Sequence, residues 1–275
     1  VARWSARGVV IHLLHREVRA GYKAGALAAG LRRAHGELIA IFDADFVPPR
    51  NFLSQALRAL QDPQVGMVQA RWGHLNRKYS LLTRVQALLL DGHFILEHGA
   101  RSRGRCFFNF NGTAGVWRRQ AITDAGGWHS DTLTEDLDLS YRAQLAGWRF
   151  VFLPGLVTPA EVPVEMNAFK IQQQRWAQGS IQTCLKLMPS ILSADLPFRV
   201  KLEACFHLTA NFNCPLLLLL AVLIVPTLPV RITSESGALW MVDILLFCLA
   251  TFSLVNFYAI SQRAIRSDWV TQLKY

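Results

Sequence analysis

The chain has 275 residues, 29 Lys+Arg against 19 Asp+Glu, a formal net charge of +10 and 52% hydrophobic residues. This length suits one large domain or one domain with an appendage. The positive balance fits an anionic ligand or an anionic membrane surface, and the absence of a zinc-finger or RNP pattern leaves no nucleic acid among the expected partners.

In chain order, "GVVIHLL" (8–14) reads as a buried strand and "YKAGALAAGLRRAHG" (22–36) as a helix. In that helix Ala24, Leu27, Ala28 and Leu31 follow the i, i+3, i+4, i+7 pattern, and Gly36 can close it. "ELIAIFDADF" (37–46) is a strand running into a loop, and 48–62 is a helix with Asn51 as its cap candidate. "VGMVQARW" (65–72) is a further strand, and 80–99 a longer helix. "FFNFNGTAGVWRR" (107–119), punctuated by glycine, reads as strand, loop, strand. Residues 133–146 fit a helix closed by Gly147, with Thr132 and Glu135 in capping-box spacing, although period-two alternation leaves a strand open. "WRFVFLP" (148–154) is a strand, and 167–188 a helix with Ala177, Ile181, Cys184, Leu185 and Met188 on one face. Alternating strands and helices predict an α/β fold, a mainly parallel sheet with flanking helices.

Two apolar runs follow, 206–230 and 237–260, each reaching the roughly 20 residues of a membrane span. The expected domains are a cytosolic part at 1–188, a juxtamembrane segment at 189–205 and the two spans. Lys186, Arg199 and Lys201 precede the first span, Arg263 and Arg266 follow the second, and Arg231 and Glu235 lie between. By the positive-inside rule the spans form a hairpin with both outer flanks cytosolic. Asp243 in the second span faces protein or water, or lies near the span's end. The cysteines, Cys106, Cys184, Cys205, Cys214 and Cys248, form no C-x-x-C. That pattern argues against a disulfide framework or zinc site and for reduced thiols facing the cytosol. With Val1 at its start and no signal-peptide pattern, the chain reads as a segment of a longer protein.

Three constellations carry chemistry. Asp43 and Asp45 close a buried strand, where open α/β sheets bind ligands, and can hold a divalent cation that bridges to substrate phosphates; two solvated loop acids would look the same. Glu135 and Asp136, in "TED", sit in a cluster with Asp131 and Asp138. A carboxylate there can act as general base or simply favour the positive end of a helix. Gln172, Arg175 and Trp176 form Q-x-x-R-W. Amide, guanidinium and indole suit sugar hydroxyls, phosphate and a sugar face, and an amphipathic helix with Trp176 in the core or at a membrane surface is the alternative.

D-x-D, then T-E-D, then Q-x-x-R-W before apolar spans resembles the processive family 2 glycosyltransferases, the group of cellulose, hyaluronan and chitin synthases. "KAGAL" (23–27) is similar to the family's K-A-G-N-L. "VQARWGHLN", "NFNGTAGVWRR" and "TLTEDLDLSYRAQLAGWRF" resemble most the cellulose-synthase-like branch that makes mannan or the xyloglucan backbone, with its bacterial relatives. The resemblance implies a GT-A-type nucleotide-sugar transferase domain followed by transmembrane helices. It implies Asp136 as catalytic base held by Glu135, and Mg2+ or Mn2+ on Asp43 and Asp45. Lys23 and Arg175 would hold the donor diphosphate, and Gln172 and Trp176 the acceptor. The partners would be a nucleotide-sugar donor (GDP-mannose or UDP-glucose), a polysaccharide acceptor and the lipid bilayer. The expected location is a bacterial inner membrane or the eukaryotic Golgi, with the catalytic domain cytosolic. A single transfer to a lipid, or a silent membrane scaffold, are the competing functions. The family's first strand and its early nucleotide-contacting aspartate would lie before Val1, so donor binding by this segment alone is expected to be poor.

Overall fold

The computed structural model describes residues 1–227, 229 and 237–265. Arg231, Glu235 and Arg266, used in the hairpin argument, lie outside the described residues. The core is a four-stranded sheet of β1 (Leu38–Ile41), β2 (Val65–His74), β3 (Gly115–Arg118) and β4 (Arg149–Ala160) in the order β1-β3-β2-β4. β3 pairs antiparallel with both β1 and β2, and β2 pairs parallel with β4. Three strands therefore point one way around a reversed β3, and the sheet is mixed.

Alternate residues of the strands feed two cores. Ile41, Met67, Trp117 and Phe150 face one side, and Val68, Val116 and Leu156 face the other. Val65–Ala70 of β2 is buried on both faces, with Gln69 as its one polar side chain. One face is covered by α1 (Tyr22–Arg33), the other by α2 (Phe52–Ala59). After β2 comes α3 (Leu81–Gly92), whose Ser80 and Thr83 form a capping box. It continues through a π-helical turn, His93–His98, to Arg103. α4 (Arg119–Asp124) follows β3, and α5 (Glu135–Leu145) precedes β4. A third core joins α5 to α6 (Met166–Ser193) and α7 (Phe198–Thr209) through Tyr141, Leu187, Ile191 and Ala204.

The apolar helices are α8 (Asn213–Ile224) and α9 (Gly237–Ile265). The stretches Phe198–Thr227 and Trp240–Ile265 are long and apolar enough to cross a membrane, and only 6% of each apolar window is buried. The end of α9 docks on α3. Asp91, 2% exposed, accepts from Arg77 Nη1 and, at 2.9 Å, from Gln262 Nε2, and Arg77 Nη2 donates to Gln262 Oε1 at 2.7 Å. A methyl carbon added at Gly92 would lie 2.6 Å from the Phe257 ring, so this contact needs glycine.

Four local expectations are corrected. Residues 8–14 form no strand, and Val10 and Leu13 are 87% and 73% exposed, because no described strand offers them a ladder. α1 closes at Arg33, with Ala34 and not Gly36 as the residue after it. In 107–119 only Gly115–Arg118 is strand; Phe108 N and Phe110 N donate instead to Gln144 Oε1 (3.2 Å) and Ser140 Oγ (2.8 Å). The buried stripe of α6 runs Ser180, Thr183, Cys184, Leu187, Ile191, which leaves Leu185 69% exposed.

Candidate active site

Sheet topology places the carboxyl ends of β1, β2 and β4 around one cleft of about 950 Å3. Lys23, Asp43 and Asp45 line it from the α1 and β1 side, Glu135 and Asp136 from the start of α5, and Gln172, Arg175 and Trp176 from α6. All eight residues singled out from the sequence thus meet in one cavity. Trp176 is half-buried and lines the cleft.

Lys23 sits in the first turn of α1, after Gly21 (φ +68) and Tyr22 (φ +44) reverse the chain. Arg16 braces that turn by donating to Ala20 O (2.8 Å) and Tyr22 O (2.7 Å). Lys23 Nζ meets Asp43 Oδ1 at 2.6 Å, while Asp45 is exposed at the cleft mouth. Lys23 takes one oxygen of Asp43, which leaves Asp43 Oδ2 and the exposed Asp45 carboxylate as hard oxygen donors of the kind that Mg2+ or Mn2+ takes.

The four acids of the 131–138 cluster divide into two pairs. Asp138 is buried and takes Arg142 Nε (2.8 Å) and Lys186 Nζ (2.8 Å). Lys186 also reaches Asp131 (2.8 Å) and His129 (3.3 Å), so an ammonium fills the space that His129, Asp131 and Asp138 could have given a metal. Glu135 and Asp136 alone face the cleft. Burial first, and neighbouring Glu135 second, push the Asp136 carboxyl up to about 7, against an accepted bond from Leu137 N (2.9 Å). A base poised there is half protonated near neutrality, which suits proton abstraction.

The Thr132–Glu135 capping box does not form. α5 starts after Thr134, whose Oγ1 meets Thr183 Oγ1 of α6 at 3.3 Å, and the buried Thr132 hydroxyl makes no hydrogen bond. Gly179 makes this crossing possible, since a methyl carbon there would lie 2.5 Å from Thr134 Cγ2 and 2.8 Å from Thr134 N. Along α6, Trp176 lies about one turn and Gln172 about two turns from this crossing.

Several cleft residues were missed in the sequence. Gly112 (φ +80) presses against the acids: a methyl carbon on it would lie 3.0 Å from Asp136 Oδ2 and 3.4 Å from Lys23 Nζ. The π-helical turn presents His93, bonded to Glu97 (2.8 Å) and Asn111 (3.2 Å), to the cleft. His98, on the same turn, is a core residue; burial, with His93 beside it, holds it well below the usual histidine range. Glycine in an N-G turn was the available signal for Gly112, and nothing local marks His93.

The fold has solved counterparts. The mannosyltransferase PcManGT from Pyrobaculum calidifontis, in complex with GDP-Man and Mn2+, aligns with a TM-score of 0.58 at 21% identity, covering 94% of this chain and 71% of that one. TarS 1-349 of S. aureus in complex with UDP aligns with a TM-score of 0.50 at 13% identity, covering 77% and 56%. Sheet, helices and cleft together define a GT-A-type glycosyltransferase fold. The family described as Glycosyl transferase family group 2 matches residues 38–259, and the chain belongs to it. Among its relatives, Glucomannan 4-beta-mannosyltransferase 2 of Arabidopsis thaliana is 45% identical over 194 residues, 69% of this chain and 36% of that protein. Glucomannan 4-beta-mannosyltransferase 1 of Cyamopsis tetragonoloba is 42% identical over 214 residues, 76% of this chain and 40% of that protein. The chain thus spans well under half the length of these relatives.

Proposed function

We infer that the full-length protein is a membrane-bound, inverting glycosyltransferase that extends a β-linked polysaccharide from a nucleoside-diphosphate hexose. The observation that carries this is the convergence of paired acids, a base with a raised pKa and an aromatic floor in one cleft beside apolar helices. Asp136 takes the proton of an acceptor hydroxyl, the freed oxygen attacks the anomeric carbon, and the bond to the diphosphate breaks as the nucleoside diphosphate leaves. Attack opposite the leaving group turns an α-linked donor into a β-linkage. Asp43 and Asp45 would hold Mg2+ or Mn2+, which would neutralise charge on the leaving diphosphate. Lys23, paired to Asp43, and Arg175 add positive charge on the donor side. Glu135 raises the affinity of Asp136 for its proton, and Gln172 and Trp176 hold the acceptor. The curated relatives above 40% identity are mannosyltransferases by name, which favours a mannose donor over a glucose donor. The two apolar helices cross the bilayer and keep the cleft on the cytosolic side, where nucleotide sugar is available.

The test is sugar transfer by membranes carrying the full-length protein, offered radiolabelled GDP-mannose or UDP-glucose. Product is digested with linkage-specific hydrolases and sized. A β-linked polymer supports the reading. A single sugar on lipid overturns processivity, and no transfer or hydrolysis of either donor makes the protein a scaffold.

A further inference from the structure

One side chain outside the cleft controls the turn that separates its two acidic sites. Gln69, in the middle of β2, is fully buried. Its Oε1 accepts from Asn111 N (3.0 Å), and its Nε2 donates to Ala70 O (2.8 Å), Thr113 O (3.1 Å) and Ala114 O (3.3 Å). A single amide thereby engages residues at both ends of Asn111–Ala114. The turn needs such a clamp, because Gly112 and Ala114 both have positive φ, +80 and +54, and Ala114 pays steric strain there. It runs along the carboxyl edge of the sheet, since Gly115 pairs with both Ile41 of β1 and Gln69 of β2.

The clamped turn touches both acidic sites. The buried Thr113 Oγ1 accepts from Asp43 N at 2.8 Å, and Gly112 abuts Asp136 Oδ2 and Lys23 Nζ. On the far side the same segment is tied to α5, where Ser140 Oγ accepts from Phe110 N and donates to Asp136 O. The separation between the D-x-D backbone and the start of α5 is therefore set by the width of this turn, and the turn is held in place by Gln69. We propose that Gln69 and Thr113 are positioning residues that hold the metal-binding acid and the base in register across the Asn111–Ala114 turn. This rests on the metal and base assignments above. Neither side chain reaches the cleft, so both act through the turn.

The experiment uses the full-length protein in detergent or nanodiscs, with Mn2+ and GDP as probes. Mn2+ half-saturation of GDP binding is read by calorimetry and by the resonance spectrum of bound Mn2+. Thr113→Val keeps shape and removes the acceptor for Asp43 N; Thr113→Ser keeps the acceptor and packs worse. Gln69→Met keeps length and volume and removes the clamp. Thr113→Val and Gln69→Met should each weaken Mn2+ half-saturation about tenfold, the scale of one lost buried hydrogen bond, and Thr113→Ser should restore it to within about twofold. A merely structural role gives the opposite order, with Thr113→Ser no better than Thr113→Val. That order, or an unchanged half-saturation in folded Gln69→Met, overturns the proposal. Asp45→Ala is run alongside. If it leaves the Mn2+ dependence untouched, the metal assignment fails by itself, and the turn is judged on transfer: a kcat at least tenfold lower at unchanged donor KM in Gln69→Met upholds it, and an unchanged kcat overturns it.

Discussion

Replacing Asp136 by Asn should make the protein more stable and far less active, with both effects confined to one pH range. The folded carboxyl sits at about 7 against an ordinary 3.8, chiefly through burial and then through Glu135. Its charged form is therefore disfavoured in the native state relative to the unfolded chain. Below pH 4 the carboxyl is protonated in both states and the cost vanishes. Between about 4 and 7 it grows with each pH unit, and above 7 it is complete. About three units correspond to a ceiling near 4 kcal/mol, which water in the open cleft reduces. Asn has the shape of the protonated acid and never carries that charge. Wild type and Asp136→Asn should therefore melt together at pH 4, and at pH 8 the variant should melt higher by about 5 °C or more. Transfer should fall about 10²–10⁴-fold. Thermal unfolding of the detergent-purified full-length pair across pH 4–8, beside transfer rates, reads both effects. A variant that melts no higher than wild type at pH 8 would refute the claim that this carboxyl is held charged against its surroundings.

If the Trp176 indole floors the acceptor side as proposed, Trp176→Ala should shorten or abolish polymer while GDP binding survives; polymer of wild-type length would make Trp176 a packing residue. Asp45→Ala should remove the Mg2+ or Mn2+ dependence of donor binding, measured by titrating GDP with and without metal, and an unchanged dependence would reduce Asp43 and Asp45 to loop acids. Gly179→Ala drives a methyl group into Thr134 at 2.5 Å and should cost about 1–3 kcal/mol through overpacking, together with loss of transfer as α6 shifts away from α5. A melting point and rate equal to wild type would show that the α5–α6 crossing has slack.

The legible parts of this molecule are those where chemistry sits on or directly after one element. Asp43 follows the apolar run of β1, Asp136 opens α5, and Arg175 and Trp176 share a turn of α6, so motif and element could be read together. Features that join distant segments through side chains were not legible. Phe108 and Phe110 look like strand residues because they are apolar and alternate, yet their backbone bonds go to Gln144 and Ser140 on α5. The stripe on α6 was misassigned at Leu185 because a helix that packs on α5 and α7 together turns a different face inward from the one suggested by its apolar residues. Asp138 looked equivalent to Asp136 until Arg142 and Lys186 claimed it. The 8–14 run shows the converse: apolar composition specifies a strand only where another strand is available to pair with it.

The lock between α9 and α3 has a consequence for biosynthesis. Arg77 and Gln262 are 185 positions apart, so a ribosome delivers one half of the lock long before the other. Until the second apolar helix has been made, Asp91 and Arg77 lack their amide partner and Gly92 lacks its aromatic cover. The hypothesis that follows is one of order: the sheet and α3 assemble first, and the catalytic layer reaches its final protease resistance only after α9 has been synthesised and seated. Nascent chains arrested before and after residue 265 would report it through proteolysis of α3, and equal resistance in the two would exclude it. On this view the second apolar helix acts as a latch that certifies a finished enzyme, and a chain that fails to place that helix is exposed to quality control at Asp91 before it can handle any sugar.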